Sequence, residues 1–272
     1  MLRETVREGT VGDVLSAGLD DAEEECLVVN PSQKTIAALV EVLQAGTAPR
    51  SVRLFAAEAA LKDLFEDFLV ASAVADLLAD GTLAVRTLQS VPRNALLVSP
   101  TSVVSLVDGG DRVAGLTTTD EEFVASAYDY YDQRWQEAEE FSLRTPPRSR
   151  VMETLEAEIG PEAASDFGAV LDSLDSARGN GDGLDEVTIS LLVAARNGEL
   201  LYDISKWGED VGLASKATFS RTKSRLEDNG LIETEKVPID VGRPRLRLMT
   251  GDPRLEDADI DEVAGVAREL LA

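Results

Sequence analysis

Ser215-Lys216-Ala217-Thr218-Phe219-Ser220-Arg221-Thr222-Lys223-Ser224-Arg225-Leu226 is a basic stretch in a very acidic chain, and its spacing decides how the C-terminal third folds. Ser215 suits a helix N-cap, where its hydroxyl accepts a backbone N–H that the first turn leaves unpaired. Phe219 and Leu226 fall on one helical face, flanked by Thr222 and Lys223, so only a narrow stripe can be buried. At about 100° per residue, Ala217, Ser220, Arg221 and Ser224 point the other way, with Arg225 toward the edge of that face. Short hydroxyls and guanidinium forks suit the major groove of double-stranded DNA, where arginine forks onto guanine and hydroxyls meet phosphates or bases. Asn229-Gly230 ends the helix, because Gly tolerates the left-handed geometry of a C-terminal cap.

Downstream, residues 231–237 read as a strand, Asp240-Val241-Gly242-Arg243-Pro244 as a turn, and Arg245-Leu246-Arg247-Leu248 as the returning strand. Alternation puts Leu246 and Leu248 inward and Arg245 and Arg247 outward. Upstream, residues 184–200 form a largely apolar helix, and residues 203–211 with the turn Gly212-Leu213 form the first helix of a pair. The run Thr218-Phe219-Ser220-Arg221, then Leu226-Glu227 and Gly230-Leu231-Ile232, resembles the recognition helix and first wing strand of archaeal and bacterial winged-helix repressors. Gly242-Arg243-Pro244-Arg245, ending in Leu248-Met249-Thr250, is similar to their wing. One departure is Lys223, which stands where such families place a buried Leu, so a shallower seating of the helix is expected. On this reading Ser215, Lys216, Thr218, Ser220, Arg221 and Arg225 meet the major groove and its phosphates. Arg243 enters the minor groove, and Arg245 and Arg247 hold the backbone.

Charge is distributed to match. The whole chain has a formal charge of −25, yet residues 184–251 carry 10 Lys and Arg against 11 Asp and Glu, while residues 1–183 carry 14 against 33. The nearly neutral segment is the most positive surface available to phosphate. Of the 26 basic residues 20 are Arg, and only 5% of the chain is aromatic. Such an acidic surface remains soluble where salt screens its self-repulsion, the Debye length being about 3 Å at 1 M. The composition therefore points to a halophile's cytoplasm; an acidic mesophilic protein is the competing reading.

The same composition excludes several chemistries. The single Cys26 permits no intramolecular disulfide or Cys-based metal cluster, and its apolar neighbours suggest a buried strand. With no histidine in the chain, His triads, His metal sites and histidine phosphorelays are ruled out. No phosphate-binding loop or dinucleotide motif is present, so neither an enzyme nor a cofactor is expected. Without a signal peptide or an apolar run of about 18 residues, a cytoplasmic protein with no membrane partner is expected.

Residues 1–144 alternate strand and helix. Val11, Val14, Leu15 and Leu19 place one amphipathic helix within residues 1–19. Strands follow at 26–29, 51–57, 82–88, 94–98 and 102–107, with a hairpin turn at 108–111 to a last strand at 113–117. Helices are expected at 34–44, over a long span at 58–78, and from a cap at Asp120 to Phe141. The order implies an α/β sandwich with a largely parallel centre and a hairpin at one side. This order, the late hairpin and a closing helix carrying Trp135 before Glu137-Ala138 resemble one half of the phospholipase-D-like effector modules of archaeal sugar-responsive regulators. Catalysis in that fold needs histidine, so the resemblance implies a domain that senses a small-molecule effector rather than one that cleaves. Asn30 and Ser32, where a strand turns into a helix, are either anion or sugar contacts or a plain capping turn. Tyr128 and Trp135 are either core residues or rings that stack on a sugar.

Arg144-Thr145-Pro146-Pro147-Arg148 marks a domain boundary. Beyond it come two helices, at 150–159 and from Pro161 to about 177, and a glycine-rich loop to residue 183. The C-terminal stripe Ile260, Val263, Ala267, Leu270 and Leu271 must also bury against something. Two such segments around one winged domain suggest a homodimer matching two DNA half-sites; packing within one chain is the alternative. The expected architecture is an α/β regulatory domain over 1–144, a helical linker over 145–183, a winged helix-turn-helix DNA-binding domain over 184–251 and an amphipathic helix over 252–272. That whole resembles the haloarchaeal TbsP-type transcriptional regulators, which implies a DNA-binding regulator of metabolic genes. From another class, the alternative is a protein–protein interaction module whose winged domain binds a protein partner; the outward Arg residues argue against it.

Overall fold

The computed structural model describes residues 5–22, 25–46, 51–88, 94–110, 112–178, 184–240 and 244–271. It divides into two compact units, Met1–Phe65 with Ala73–Leu143, and Glu66–Ser72 with Arg144–Ala272.

The first unit is built on one sheet, formed by β1 (Thr5–Gly9), β2 (Glu25–Val29), β3 (Ser51–Ala56), β4 (Leu83–Thr87), β5 (Ala95–Val98), β6 (Val103–Asp108) and β7 (Val113–Thr118). Their spatial order is β1-β7-β6-β5-β2-β3-β4. Only β2, β3 and β4 run parallel; β5 pairs antiparallel with β2, and β6, β7 and β1 continue antiparallel. The expected largely parallel centre is thus corrected to a parallel side joined to an antiparallel one. The first residues are corrected as well. A strand, β1, precedes helix α1 (Val11–Asp20), which starts at a reciprocal capping box between Thr10 and Asp13.

Helices α1 and α2 (Gln33–Gln44) pack on each other, and Leu97 of β5 points to Gly18 of α1. From the opposite face Leu27, Val29, Phe55, Val98 and Val103 bury against Val124 and Trp135 of α5 (Glu121–Glu137). The chain after α5 closes the edge of β4, with the Thr87 N–H donating to Glu139 O at 2.9 Å and Phe141 N–H to Val85 O at 3.0 Å. Cys26 is a buried free thiol in β2, its pKa pushed up to about 12 by burial.

The long helix expected over 58–78 is two helices, α3 (Glu58–Leu64) and α4 (Phe68–Ala79). Asp67 separates them. Its buried carboxylate accepts the N–H groups of Leu69 and Ala177, each at 3.1 Å, and lies 3.5 Å from the Arg178 guanidinium. A carboxylate serving two backbone donors and an arginine cannot point to solvent from mid-helix, so the helix restarts there.

The second unit holds α6 (Arg148–Glu158), α7 (Pro161–Asp172), α8 (Glu186–Arg196), α9 (Leu201–Val211), α10 (Lys216–Asp228), β8 (Ile232–Val237), β9 (Arg245–Thr250), α11 (Pro253–Asp257) and α12 (Val263–Leu271). One core joins Val151 and Leu155 of α6, Phe167 of α7, Trp207 of α9, Phe219 and Leu226 of α10, Leu248 of β9, and Val263 and Ala267 of α12. Residues 148–172 are therefore structural members of the winged domain rather than a linker. Trp207, fully buried, donates its indole N–H to Thr154 Oγ1 at 3.0 Å and meets the Phe167 ring edge-on. Both the α6–α7 pair and α12 bury their stripes within the same chain, so their burial no longer calls for a second copy.

Candidate nucleic-acid interface

Five elements of the second unit make a winged helix-turn-helix. Helix α8 is apolar on nearly every side and forms its floor. Residues 199–200 pair with β9, Leu248 N–H donating to Glu199 O at 2.8 Å, so the β8–β9 hairpin is tied back to the helices. Helix α9 ends at Gly212, whose φ of 91° is the left-handed conformation that lets the chain turn sharply into α10. The N–H groups of Leu213 and Ala214 both donate to Gly208 O, at 2.8 and 3.3 Å, which fixes that turn. Gly208 also lets the helices touch: a Cβ there would lie 2.3 Å from the Phe219 ring.

Helix α10 starts as its sequence demands. Ser215 Oγ accepts the Thr218 N–H at 3.2 Å. Phe219 and Leu226 are fully buried, so the narrow apolar stripe seats completely despite Lys223. Lys223 is itself drawn in: its amine meets Glu227 at 2.5 Å, and the other oxygen of Glu227 accepts the Thr234 hydroxyl at 2.8 Å. Burial acts to raise the Glu227 pKa, but those two hydrogen bonds outweigh it and hold the carboxyl below its ordinary value. This bridge fastens α10 to β8, which compensates for the Leu the position lacks.

The outward face of α10 carries Ser215, Lys216, Ala217, Ser220, Arg221 and Ser224, all exposed, with Thr218 half-buried beside them. Arg221 extends along this face with a guanidinium nitrogen 3.4 Å from Thr218 Oγ1. Arg225 stands apart from it. Its guanidinium turns toward α8, donating to the buried Thr188 hydroxyl at 3.0 Å, and its Nε is buried with no partner. The helical angle that put Arg225 at the edge of the outward face is enough to draw it inside.

On the wing, Leu248 is buried and Leu246 half-buried, as alternation requires. Arg247 is exposed, 4.0 Å from Glu235. Arg245 leans on α9, bonded to Asp203 at 3.1 Å with its guanidinium 4.3 Å from the Tyr202 ring centre. Arg243 lies outside the described residues. Lys236 of β8, not singled out from the sequence, is exposed on the wing; its one clue was a lone basic residue in an acidic strand.

The effector residues suggested by the sequence fall in the first unit and in two places. Asn30, at a left-handed φ of 49°, and Ser32 line a cleft of about 400 Å³ with Lys34, Asn94 and Asp108, but the Ser32 hydroxyl caps α2 through the Thr35 N–H. Trp135 belongs to the core, and Tyr128 packs half-buried against it. The Tyr128 hydroxyl bonds Glu25 and receives Arg53 at 2.9 Å; burial first, then Glu25, pushes its pKa up to about 12. Trp135 is 5% exposed, edge-on to Phe55, with the Arg53 and Arg86 guanidinium groups 5.8 and 5.0 Å from its ring. Arg53, half-buried and salt-bridged to both Glu25 and Asp132, has no signal in the spacing of the sequence.

Residues 3–146 match the family model described as "Transcriptional regulator TbsP-like, N-terminal", and residues 147–268 match "Transcriptional regulator TbsP-like, C-terminal HTH domain". The chain belongs to the TbsP-like transcriptional regulators. The boundary between the two matches falls within the Pro-Pro stretch, so the TbsP-like C-terminal domain includes α6 and α7 together with the winged elements. No curated protein matches this TbsP-like chain in sequence. Among solved structures, it is similar to TrmBL2, an archaeal chromatin protein, at 17% identity and a TM-score of 0.38, over 52% of this chain and 55% of that one. It is also similar to Nuc, a phospholipase D family member from Salmonella typhimurium (11%, TM-score 0.36, 51% of this chain and 99% of that one). NucT from Helicobacter pylori is comparable (14%, TM-score 0.36, 51% and 100%). Among the described residues, no group of His, Cys, Asp or Glu is placed to hold a metal ion, and no helix is long and apolar enough to cross a membrane.

Proposed function

We propose that this TbsP-like regulator binds double-stranded DNA in a sequence-specific way through α10 and its wing. Helix α10 divides into two faces, which supports this function. Phe219 and Leu226 anchor one in the core, while Ser220, Arg221 and Ser224 leave the other polar, exposed and free of apolar bulk. Arg221 is the base reader, with a fork matched to guanine O6 and N7, and Ser215, Thr218 and Ser220 contribute hydroxyls to phosphates and base edges. Lys216, at the start of α10, meets a phosphate where the helix dipole also favours one. Arg247 holds the backbone, Arg245 reaches it once it leaves Asp203, and the role proposed for Arg243 from the sequence is entry into the minor groove. Arg225 instead fixes the angle of α10 against α8.

The targets we propose are metabolic genes in a halophile's cytoplasm. Selecting duplexes from a random pool at molar KCl would supply a preferred site. On that site Arg221→Ala is expected to cost about 1–3 kcal/mol, and much less on random duplex. Equal losses on both would remove Arg221 from base reading.

A further inference from the structure

The cations of this interface are not waiting for DNA unaccompanied. Glu209, from the last turn of α9, accepts the Lys216 backbone N–H at 3.3 Å with one oxygen and the Lys216 amine at 2.8 Å with the other. A carboxylate holding a first-turn N–H and a lysine amine together occupies the position a DNA phosphate takes at a helix N-terminus. On the wing side Asp203 does the same to Arg245, with oxygens 3.1 and 3.5 Å from one guanidinium nitrogen. Arg247 has Glu235 at 4.0 Å, and among the α10 and β9 cations proposed to contact DNA, Arg221 alone shows no carboxylate partner among the described residues. The Lys216 amine is held above its ordinary pKa and the Glu209 carboxyl below its own, each chiefly by their mutual hydrogen bond.

Resting on the DNA-binding reading above, we infer that Glu209 and Asp203 are intramolecular phosphate surrogates, which DNA must displace from Lys216 and Arg245 before those cations can bind it. As stability elements such exposed pairs contribute little. Their consequence is for binding. The Lys216 backbone N–H has one hydrogen to give, and a phosphate brought onto the same amine or guanidinium would sit against the carboxylate already there and repel it, so binding frees two carboxylates beside a polyanion. Solvent cations then gather on the freed carboxylates while phosphates shed theirs, and the two fluxes oppose each other. Ordinary neutralisation of a phosphate steepens the salt dependence by about 0.9 in log K per log salt. Displacing a surrogate cancels most of that amount, so affinity survives in concentrated salt. Non-specific binding, which has only phosphate contacts to offer, is penalised most, so the surrogates also sharpen specificity.

The test measures Kd by fluorescence anisotropy on a selected duplex and a random duplex between 0.5 and 3 M KCl. It compares the wild type, Glu209→Gln, Asp203→Asn, the double variant, and Asp172→Asn. The last removes a carboxylate from the pair with Arg148 on α6 and α7, neither of which is proposed to contact DNA. Circular dichroism under the same conditions verifies folding. Each interface variant is expected to bind random duplex about twofold tighter at the low-salt end, as the loss of one close like-charge contact screened by 0.5 M salt implies. The double variant should have a salt slope more negative than the wild type by about 1.5, with Asp172→Asn unchanged. Wild-type binding with variants of identical slope and affinity would overturn the surrogate role while leaving DNA binding intact. Absence of binding by every folded variant would overturn both.

Discussion

Replacing Gly208 by Ala tests the close contact that sets α10 against α9. The new Cβ would lie 2.3 and 2.4 Å from two atoms of the Phe219 ring, where ordinary contact needs at least 3.4 Å. The ring must therefore retreat by about 1 Å. It cannot do so freely, because Phe219 is fully buried and the Leu213 and Ala214 N–H groups pin the turn to Gly208 O. Overpacking of this kind costs about 1–3 kcal/mol. Against it, Ala gains up to about 1 kcal/mol over Gly in a helix interior. The expected net loss is about 1–2 kcal/mol, read from urea unfolding in 2 M KCl followed by tryptophan fluorescence. Phe219→Leu makes room, so its own cost should shrink in the Gly208→Ala background, giving a coupling of about 1 kcal/mol. Because relief of the clash tilts α10, the folded Gly208→Ala protein should also bind DNA more weakly. A Gly208→Ala protein as stable as the wild type, with no coupling to Phe219→Leu and unchanged DNA affinity, would refute the contact's role.

Further outcomes follow from the same geometry. Thr154→Val keeps the shape but leaves the buried Trp207 indole N–H without its acceptor, and should cost about 1–3 kcal/mol in the same unfolding assay. Burial raises the Glu186 pKa from an ordinary 4.5 to about 7, with Asp185 adding to it. The folded state therefore binds the proton more tightly, and its contribution to stability is full below pH 4.5, declines as pH rises to about 7 and is absent above. Glu186→Gln should flatten that part of the pH–stability curve and gain about 1–2 kcal/mol at pH 8, water at the half-buried carboxyl limiting the gain. Withdrawing KCl from 3 M to 0.1 M should lower the unfolding midpoint steadily as screening of the −25 charge is lost; a midpoint indifferent to salt would contradict a halophile's protein.

The winged elements were legible because each has a local signal: Ser215 caps, Phe219 and Leu226 share a face, Gly212 turns, and alternation sorts Leu248 from Arg247. What escaped was set by distant partners. Strand β1 is a polar edge strand whose one aliphatic side chain, Val6, is half exposed, so it carries no apolar alternation to read. The break between α3 and α4 depends on Asp67 meeting Ala177, more than a hundred residues away. Arg245 meets Asp203 and Arg225 meets Thr188 across elements, and no spacing along the chain announces either pair. The two flanking helical segments showed that they needed burial but not where, and the core around Trp207 supplies it.

The DNA-binding surface we propose is formed by α10 and the wing. Its most direct measurement is an anisotropy titration at 1 to 3 M KCl of selected and random duplexes, with the wild type and a folded variant carrying Lys216→Ala, Arg221→Ala and Arg247→Ala. Binding by the wild type that prefers the selected duplex, lost in the variant, is the predicted result. A folded wild type that binds no duplex at any of these salt concentrations, or a variant that binds as well as the wild type, would contradict it.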